Sequence, residues 1–267
     1  VGNDAFTNVA DGAAAYVTME ALSSFGGFGN DWNGLTVDPI TPLIWTTTDG
    51  KITITDCDEA ATGELVIPNT IEGNPVTSIG DWAFNNCTSL TSITIPDGVT
   101  SIEDYAFFEC TSLTSITIPD SVTSIGDYAF GYCANLTNIT IPDGVTIIGE
   151  DAFRGCTSLK SITIPDNVTS IGDRAFLRCT SLPSITIGNG VISIGDYAFY
   201  SCTSLTSITI PDGVTSIGNG AFNECTNLTS ITFQGAAPTV GNDAFFGMPD
   251  AAVAYVVAST SFGASGA

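Results

Sequence analysis

Eight cysteines and 28 acidic residues are the side chains of this 267-residue chain that could take part in chemistry, because the sequence contains no histidine. Cysteine acts as a nucleophile or metal ligand through its thiolate, and carboxylates act as acids, bases or cation ligands. Half of these residues recur in series set by an interval of 23 positions. Such regular spacing is typical of a repeated structural position rather than of a single active site.

Seven cysteines form one series, at Cys87, Cys110, Cys133, Cys156, Cys179, Cys202 and Cys225. Met248 takes the next place, which favours an apolar packing site because free cysteine behaves as a small hydrophobic residue. Disulfide pairing between neighbouring repeats stays open, since strands about 4.8 Å apart permit such a bridge. Zinc would need four converging ligands, and no C-x-x-C motif occurs. Cys57 stands outside the series and has no evident partner.

The acidic residues form two further series. One is Asp97, Asp120, Asp143, Asp166 and Asp212, and the other is Asp81, Asp104, Asp127, Glu150, Asp173 and Asp196. Two readings remain open: these residues satisfy backbone donors in turns and caps, or their stacked carboxylates repel one another and share a hard cation. Calcium takes six to eight oxygen ligands, whereas each series supplies one carboxylate per repeat. Structural calcium is compatible with the sequence, but no metal site and no cofactor is predicted.

Neither set of residues predicts catalysis. Without histidine, the usual general base for a serine or cysteine nucleophile is missing. The carboxylates recur as identical elements, whereas a glycosidase pair would be a singular break in the pattern. No glycine-rich phosphate loop occurs between a strand and a helix. We therefore expect that the chain is not an enzyme.

The dipeptide Ala-Phe sets the period of the chain. Its phenylalanines are Phe84, Phe107, Phe130, Phe153, Phe176, Phe199, Phe222 and Phe245. A unit of 23 residues cannot bury its own apolar face, so the copies must stack and share a continuous core. The period therefore predicts a leucine-rich-repeat-type solenoid, and we call each 23-residue copy a rung.

Each rung has a common internal pattern. Alternating residues in Leu90-Thr-Ser-Ile-Thr-Ile95 predict a short parallel strand with its isoleucines inward, and Pro96-Asp-Gly98 ends that strand. A second apolar step follows at Val99 and Ile102. The segment Gly80-Asp-Trp-Ala-Phe84 predicts a turn at the glycine and a single turn of helix capped by the aspartate. The predicted rung is thus β-rich.

The strand, turn and Ala-Phe-x-x-Cys pattern, as in Cys202-Thr-Ser-Leu-Thr-Ser-Ile-Thr-Ile-Pro-Asp-Gly-Val-Thr-Ser-Ile-Gly, resembles the BspA-like (type 5) leucine-rich repeats. The resemblance covers about residues 65–248. It implies a curved, right-handed solenoid from a secreted or surface-attached protein, in a family associated with adhesion and protein binding rather than catalysis. We therefore expect a non-enzymatic module, extracellular or at the cell surface, that binds a protein or glycan on a surface or matrix.

The two ends of the chain carry a long-range duplication. Val1-Gly-Asn-Asp-Ala-Phe6 is repeated as Val240-Gly-Asn-Asp-Ala-Phe245, an offset of 239 residues. We interpret the chain as one super-period of a longer array, or a window from it. The expected segments are 1–40, the tail of a preceding unit; 41–82, a hairpin and an irregular first rung; 83–248, the solenoid; and 249–267, a truncated C-terminal cap.

Net charge limits the possible partners. The formal charge of −23 argues against nucleic acid and anionic membranes. The sequence has no run of about 18 apolar residues, so membrane insertion is not expected. A soluble macromolecule or a surface glycan remains as the expected partner.

The variable columns beside Ala-Phe hold the candidate partner-binding residues, which are Tyr128, Tyr132, Arg154, Arg174, Arg178, Tyr197 and Tyr200. Arginine and tyrosine are enriched at interface hot spots. Two readings stay open here. The patch binds an acidic or glycan partner, or its arginines pair locally with Asp151, Asp166, Asp173 and Asp196.

Two further functions are compatible with the sequence. A chain that begins and ends in the same segment can stack head to tail, which would make it the protomer of a surface filament or a long stalk. Rows of the Ser92-x-Thr94 type resemble those of ice-binding proteins, although the curvature of a leucine-rich solenoid spoils a planar lattice. The interaction module is the leading prediction.

Overall fold

The structure is a computed structural model that describes residues 42–257 and the backbone of three earlier strands, at 14–17, 31–32 and 35–39. The rest of the predicted segment 1–40, and residues 258–267 of the predicted C-terminal cap, lie outside the described residues. The chain divides into two compact units, Val1–Leu43 and Ile44–Ala267.

The first unit contains a three-stranded sheet. Its strands are β1 (Ala14–Val17), β2 (Asp31–Trp32) and β3 (Leu35–Pro39). The middle strand, β3, pairs in parallel with β1 and antiparallel with β2. Ala14 lies opposite Thr36 in the parallel pair.

Seventeen further strands are short, and the described residues contain no helix. They are β4 (Leu43–Thr48), β5 (Lys51–Cys57), β6 (Thr62–Val66), β7 (Thr70–Ile71), β8 (Asn74–Ile79), β9 (Ser89–Thr94), β10 (Ser101–Ile102), β11 (Ser115–Thr117), β12 (Ser124–Ile125), β13 (Ile147–Ile148), β14 (Ser170–Ile171), β15 (Ser193–Ile194), β16 (Ser207–Ile210), β17 (Ser216–Ile217), β18 (Ser230–Phe233), β19 (Thr239–Val240) and β20 (Val253–Val256).

A tight turn joins β4 to β5, the first two strands of the longest sheet. Asp49 and Gly50 have φ angles of 51° and 70°, the left-handed values that a two-residue hairpin turn requires. From β5 onward the sheet runs in parallel through β8, β10, β12, β13, β14, β15, β17 and β19, and β7 pairs antiparallel with β8. From β8 to β17, the buried isoleucine of each strand pairs with the equivalent isoleucine one rung away, as in Ile102 and Ile125. The second apolar step of each rung therefore builds the most continuous sheet.

The Ser-x-Thr strands form a less continuous side. Strands β6, β9 and β11 make one parallel sheet, and β16, β18 and β20 make another. In the rungs between these two sheets, the described strand pairing is limited to isolated bridges, such as the one between Asn138 and Ser161. One of these rungs carries Pro183, which has no N–H to donate to the preceding rung. This interruption does not favour the regular lattice that ice binding requires.

The core confirms the solenoid that the 23-residue period predicts. Seven Ala-Phe rings, from Phe84 to Phe222, have no exposed surface. Each ring stacks on the next with centroids 5.0–5.6 Å apart. Isoleucine, leucine, valine and alanine columns fill the space around this stack. Burial of one such side chain stabilises the fold by about 1.5–3 kcal/mol.

The predicted turn of helix before each Ala-Phe is wrong. In the first complete rung, the N–H groups of Ala83, Asn85 and Cys87 each bond to the carbonyl three residues earlier, which forms successive tight turns. The N–H groups of Trp82, Phe84 and Asn86 bond instead to carbonyls of the following rung, at Asp104, Ala106 and Phe108. These donors are committed to the neighbouring rung, so a helical ladder cannot form.

The glycine that precedes this segment has a different role from the one expected. At Gly149 the φ angle lies outside the left-handed region, so the backbone turn does not demand glycine. A Cβ atom at Gly149 would lie 2.7 Å from the backbone of Gly126 in the preceding rung. Close approach between rungs is therefore what excludes a side chain here.

No helix capable of spanning a bilayer occurs among the described residues.

Candidate interaction surface

Five aromatic side chains on the segments between the glycine and cysteine columns form a continuous cluster, which we call the aromatic ladder. Its members are Trp82, Tyr105, Phe108, Tyr128 and Tyr132. Trp82 stacks on Tyr105 with ring centroids 4.0 Å apart, and Tyr105 stacks on Tyr128 at 4.7 Å. Phe108 contacts the other four rings edge-on. Trp82 remains 47% exposed at the end of the stack, so its ring is accessible from solvent.

The backbone beneath the ladder is unusual for such large side chains. Trp82, Tyr105 and Tyr128 have φ angles of 55–61°, and Tyr132 has 59°. Left-handed backbone costs a residue other than glycine about 1–2 kcal/mol. Later rungs use glycine in the same two columns, at Gly155, Gly220 and Gly247. The fold therefore accepts glycine there, and the aromatic side chains are present at an energetic cost.

A column of carboxylates runs beside the ladder. The backbone N–H of Asp104 donates to Asp81 Oδ1 (3.2 Å), and the N–H of Asp127 donates to Asp104 Oδ1 (2.8 Å). The same bond recurs from Asp196 to Asp173 Oδ1 (2.7 Å). These bonds confirm that the column satisfies backbone donors, although it does so between rungs and not as helix caps.

Crowding in this column has an electrostatic cost. Burial and repulsion from Asp104 raise the pKa of Asp127 above its ordinary value. In the other acidic series, Asp166 Oδ1 accepts the backbone N–H of Asn189 (2.8 Å). Within residues 42–257, no three acidic or thiol side chains converge closely enough to hold a metal ion.

An ion-pair cluster around one buried carboxylate ends the aromatic ladder. Asp151 follows Tyr128 in the same column and has no exposed surface. Its Oδ1 accepts from Arg154 Nη1 (3.1 Å) and its Oδ2 from Arg174 Nε (2.8 Å), while Arg174 Nη2 also bonds to Glu150. Burial raises the pKa of Asp151, even though hydrogen bonds from Tyr128 and Arg154 act in the opposite direction.

The structure brings four of the seven predicted site residues together around Asp151. These are Tyr128, Tyr132, Arg154 and Arg174. The Arg154 guanidinium lies 5.4 Å from the centroid of the Tyr132 ring. Burial and the Asp151 carboxylate raise the pKa of Tyr128. Two of the three predicted arginines, Arg154 and Arg174, therefore pair with a nearby carboxylate.

The other three predicted residues lie apart from that cluster. Tyr197 and Tyr200 contact each other edge-on, with centroids 5.9 Å apart, and the Tyr197 ring covers Gly220 of the next rung. Arg178 is exposed and makes no ion pair within the described residues. The described residues also show no arginine paired with Asp166, Asp173 or Asp196.

Three members of the aromatic ladder were missing from the predicted site: Trp82, Tyr105 and Phe108. The prediction followed the rungs that carry arginine. Trp82, Tyr105 and Tyr128 occupy one column in three consecutive rungs, and equivalent positions of a solenoid lie about one strand spacing apart. That spacing matches the distance at which aromatic rings stack, so the sequence did contain the signal.

A groove of about 460 Å³ lies on the Ser-x-Thr side. Its lining includes Thr163, Thr186, Thr209 and the carboxylates of Asp143 and Asp166. Among the described residues that line it, none is aromatic or basic. It therefore lacks the anchor residues that the aromatic ladder provides.

The cysteine column is a packing element, as its replacement by Met248 predicted. All eight cysteines are buried free thiols. From Cys110 to Cys225, each thiol donates to the carbonyl of the preceding rung's phenylalanine, as Cys156 Sγ does to Phe130 O (3.2 Å). Cys57 does not stand apart, because its carbonyl lies 3.8 Å from Cys87 Sγ and it extends the column by one rung.

We expect Asp151→Ala to lower the free energy of unfolding by about 1–3 kcal/mol, because it leaves Arg154 Nη1 and Arg174 Nε without their acceptor. Asp151→Asn keeps an acceptor oxygen and loses the buried charge, so we expect a smaller loss. Urea unfolding of the two variants and the wild-type protein at pH 7 measures both effects. Equal losses would show that charge, and not hydrogen bonding, stabilises the cluster.

The repeat columns and stacked core described here match a known family. The family model described as "BspA type Leucine rich repeat region" matches residues 62–157 and 146–256 in six copies. The chain belongs to this BspA-type family. The resemblance seen in the sequence is thus confirmed, and membership supports an interaction module as the class of function. A search of curated proteins finds no match.

Solved structures similar to this BspA-type chain come from bacteria. A leucine-rich cell surface protein from Faecalibacterium prausnitzii is 39% identical, with a TM-score of 0.67 over 74% of this chain and 56% of its own length. The T. pallidum leucine-rich repeat protein is 33% identical, with a TM-score of 0.67 over 72% of this chain and 90% of its own. A leucine-rich repeat protein from Bacteroides ovatus is 29% identical, with a TM-score of 0.52 over 79% and 68%. The chain thus spans little more than half of the Faecalibacterium protein.

Proposed function

We propose that this chain is a non-enzymatic interaction module, displayed outside the cell, that binds a protein or glycan through the aromatic ladder. The observation that carries the proposal is the column of large aromatic side chains on left-handed backbone, where other rungs use glycine. Exposed tyrosine and tryptophan are the residues most enriched at binding hot spots. The similar cell surface protein of Faecalibacterium prausnitzii supports the extracellular location.

The chemistry of the remaining side chains supports binding over catalysis. The thiols are buried and donate to backbone carbonyls. The carboxylates beside the ladder accept backbone N–H groups, and the sequence contains no histidine. A general base with a free lone pair in a cleft is what catalysis by these groups would need.

Charge favours a neutral or basic partner. Asp81, Asp104 and Asp127 adjoin the ladder, and the whole chain carries a net charge of −23. Arg154 and Arg174 form ion pairs with Asp151 and Glu150. Of the three arginines predicted to bind an acidic partner, Arg178 is therefore the one whose charge is not neutralised within the described residues. A basic protein segment or a neutral glycan therefore suits this surface best.

Trp82→Gly is expected to weaken binding to the best ligand on arrays of neutral glycans and basic peptides by at least about tenfold, or 1.4 kcal/mol. The change removes an exposed ring and relieves left-handed backbone, so the fold should remain stable. Surface plasmon resonance with the selected glycan or peptide measures the loss.

Tyr197→Gly is the matched control. Tyr197 has a φ of 56° and 41% exposure, close to the values for Trp82, but it lies outside the ladder. Its substitution should change affinity by less than about twofold, or 0.4 kcal/mol. If Tyr197→Gly weakens binding and Trp82→Gly does not, the binding surface lies at Tyr197 and Tyr200.

A second candidate function is head-to-tail assembly into a filament or stalk. The duplication of residues 1–6 at 240–245 favours it, because a repeated segment offers equivalent positions for contacts between successive copies.

A further inference from the structure

Cys57 and Cys87 form the first step of the cysteine column, and their contacts differ from those of the later steps. From Cys110 onward, each thiol donates to a phenylalanine carbonyl at 3.0–3.2 Å. The first rung has no such phenylalanine, because three positions separate Ile54 from Cys57. In the next rung, eight positions separate Ile79, the partner of Ile54, from Cys87. Cys87 therefore lacks the acceptor that the later thiols use.

The two sulfur atoms converge on one backbone carbonyl instead. Asp58 O lies 3.8 Å from Cys57 Sγ and 4.0 Å from Cys87 Sγ. Cys87 Sγ also lies 3.8 Å from Cys57 O. Equivalent positions of neighbouring rungs are about 4.8 Å apart, and a disulfide joins residues whose Cα atoms are roughly 4.4–6.8 Å apart. A bond between Cys57 and Cys87 therefore needs little movement of the backbone.

Oxidation disturbs fewer hydrogen bonds at this step than at any later one. A disulfide at Cys156 would remove the proton that Phe130 O accepts and would leave that buried carbonyl without a donor. Oxidation of Cys57 and Cys87 takes no donor from a phenylalanine carbonyl. Asp58 O also keeps the N–H of Ala61, at 2.8 Å.

The acidity of Cys87 is also distinct from that of the other thiols. A hydrogen bond from the Cys57 thiol lowers the pKa of Cys87, although burial and the carboxylates of Asp56, Glu59 and Asp58 act in the opposite direction. The pKa of each of the other seven cysteines is raised. Because the thiolate is the reactive form, Cys87 is the best nucleophile of the column.

We propose that Cys57 and Cys87 are a redox-active pair, which a cationic small-molecule disulfide converts to a Cys57–Cys87 disulfide. The Cys87 thiolate attacks one sulfur of the oxidant, whose S–S bond breaks and releases one half as a thiol. Cys57 then loses its proton and attacks Cys87 Sγ, and the second half leaves as a thiol. The protein gives up two electrons and two protons, and the oxidant takes them up. The new bond fastens the first rung to the second.

The chain around Cys57 determines which oxidants reach the pair. Asp58, Glu59 and Ala60 follow Cys57 directly and are exposed. Movement of this short turn admits a small molecule without unfolding the later rungs. The carboxylates of Asp56, Asp58 and Glu59 attract a cationic oxidant and repel an anionic one.

Mass spectrometry of the folded protein after incubation with cystamine, a cationic disulfide, tests the site. We expect a product that is lighter by two hydrogen atoms and that yields a peptide joining Cys57 to Cys87. The pair Cys202 and Cys225 is the matched control, because both thiols donate to phenylalanine carbonyls. We expect at least about tenfold less disulfide there. Disulfides spread evenly along the column, or a folded protein in which Cys57 and Cys87 stay reduced, would overturn the proposal.

Serine variants test the two roles separately. Cys57→Ser keeps a hydroxyl donor for Cys87 but cannot displace the second half of the oxidant, so a half-cystamine adduct should remain on Cys87. Cys87→Ser removes the nucleophile, and uptake of cystamine at Cys57 should be at least about tenfold slower. Equal uptake by the two variants would contradict the assignment of Cys87 as the attacking thiol.

A second disulfide reagent tests the charge preference. Oxidised glutathione is anionic, and we expect it to form the Cys57–Cys87 bond at least about fivefold more slowly than cystamine at low salt. High salt should reduce that difference, because it screens the carboxylates. Equal rates with both reagents at low salt would show that these carboxylates do not select the oxidant.

Discussion

Phe153→Ala is expected to lower the free energy of unfolding by about 3–5 kcal/mol, the range found when a buried phenylalanine is truncated. Phe153 has no exposed surface and stacks between Phe130 and Phe176, with centroid distances of 5.4 and 5.3 Å. Its removal leaves a cavity that touches three consecutive rungs. Urea unfolding followed by circular dichroism gives the loss directly.

Phe246→Ala is the control for this prediction. The substitution is the same, but Phe246 is 61% exposed and lies at the C-terminal end of the described solenoid. We expect a change within about 0.5 kcal/mol. Equal losses at Phe153 and Phe246 would show that burial in the stack does not determine stability.

The position of Phe153 should also affect cooperativity. Each rung contacts its neighbours alone, so stability is close to a sum of rung and interface contributions. A weakened interface in the middle of the solenoid therefore separates the rungs before Phe153 from those after it, as two groups that can unfold separately. In the Phe153→Ala variant, hydrogen exchange should then show two groups of rungs that open at different urea concentrations.

Alkaline pH should unfold the protein more steeply than its tyrosine content alone predicts. Burial raises the pKa of Cys156 and of Cys225 from 9.0 to about 12, and raises that of Cys179 and Cys202 well above the ordinary value. The folded state therefore holds these thiol protons more tightly than the unfolded state. Their contribution is fully present below pH 9 and is lost as pH rises from 9 towards 12.

The expected slope follows from proton linkage. Between pH 9 and 12, each thiol that stays protonated only when folded removes about 1.4 kcal/mol of stability per pH unit. Unfolding free energies measured in urea from pH 8 to 11.5, together with thiolate absorbance, determine this slope.

Cys156→Ser isolates one thiol from this slope. The serine hydroxyl can donate to Phe130 O in place of the thiol, but it does not titrate in this range. The loss of unfolding free energy per pH unit should therefore be smaller in the variant, by about the contribution of one thiol. A slope unchanged by Cys156→Ser would contradict the assignment.

The sequence allowed the core to be predicted because the same column recurs in many rungs. Eight Ala-Phe pairs at one interval leave little choice but a stacked solenoid, and Met248 in the cysteine series indicated packing. The role of Cys57 was missed because the irregular first rung changes the spacing to 30 residues. A repeated structural position can be recognised in a sequence only while the spacing between its members stays constant.

Bonds between rungs explain most of what could not be predicted. The segment beginning at Asp81 has the composition of a capped helical turn, but every second N–H group, from Trp82 to Asn86, bonds to the following rung. A preference read from one rung cannot include such donors. The sequence likewise showed the second apolar step without its pairing between rungs, through which Ile102 and its equivalents join the longest sheet.

The site predicted from the sequence and the proposed surface overlap in part. Tyr128 and Tyr132 belong to the aromatic ladder, but the choice of arginine as the anchor moved the predicted site towards later rungs. Two of those arginines are held by Asp151, a carboxylate whose complete burial could not be inferred from its sequence position. A binding role for all seven predicted residues stays a prediction.

The left-handed columns have a consequence for how such a protein can evolve. Trp82, Tyr105, Arg174 and Tyr197 occupy one and the same position of the rung, and the phenylalanine stack beneath them is unchanged. A mutation in this column alters what the surface displays without requiring a compensating change in the core. Duplication of a rung would copy its display residue together with its support. Recognition can therefore diversify one position at a time along a scaffold that stays constant.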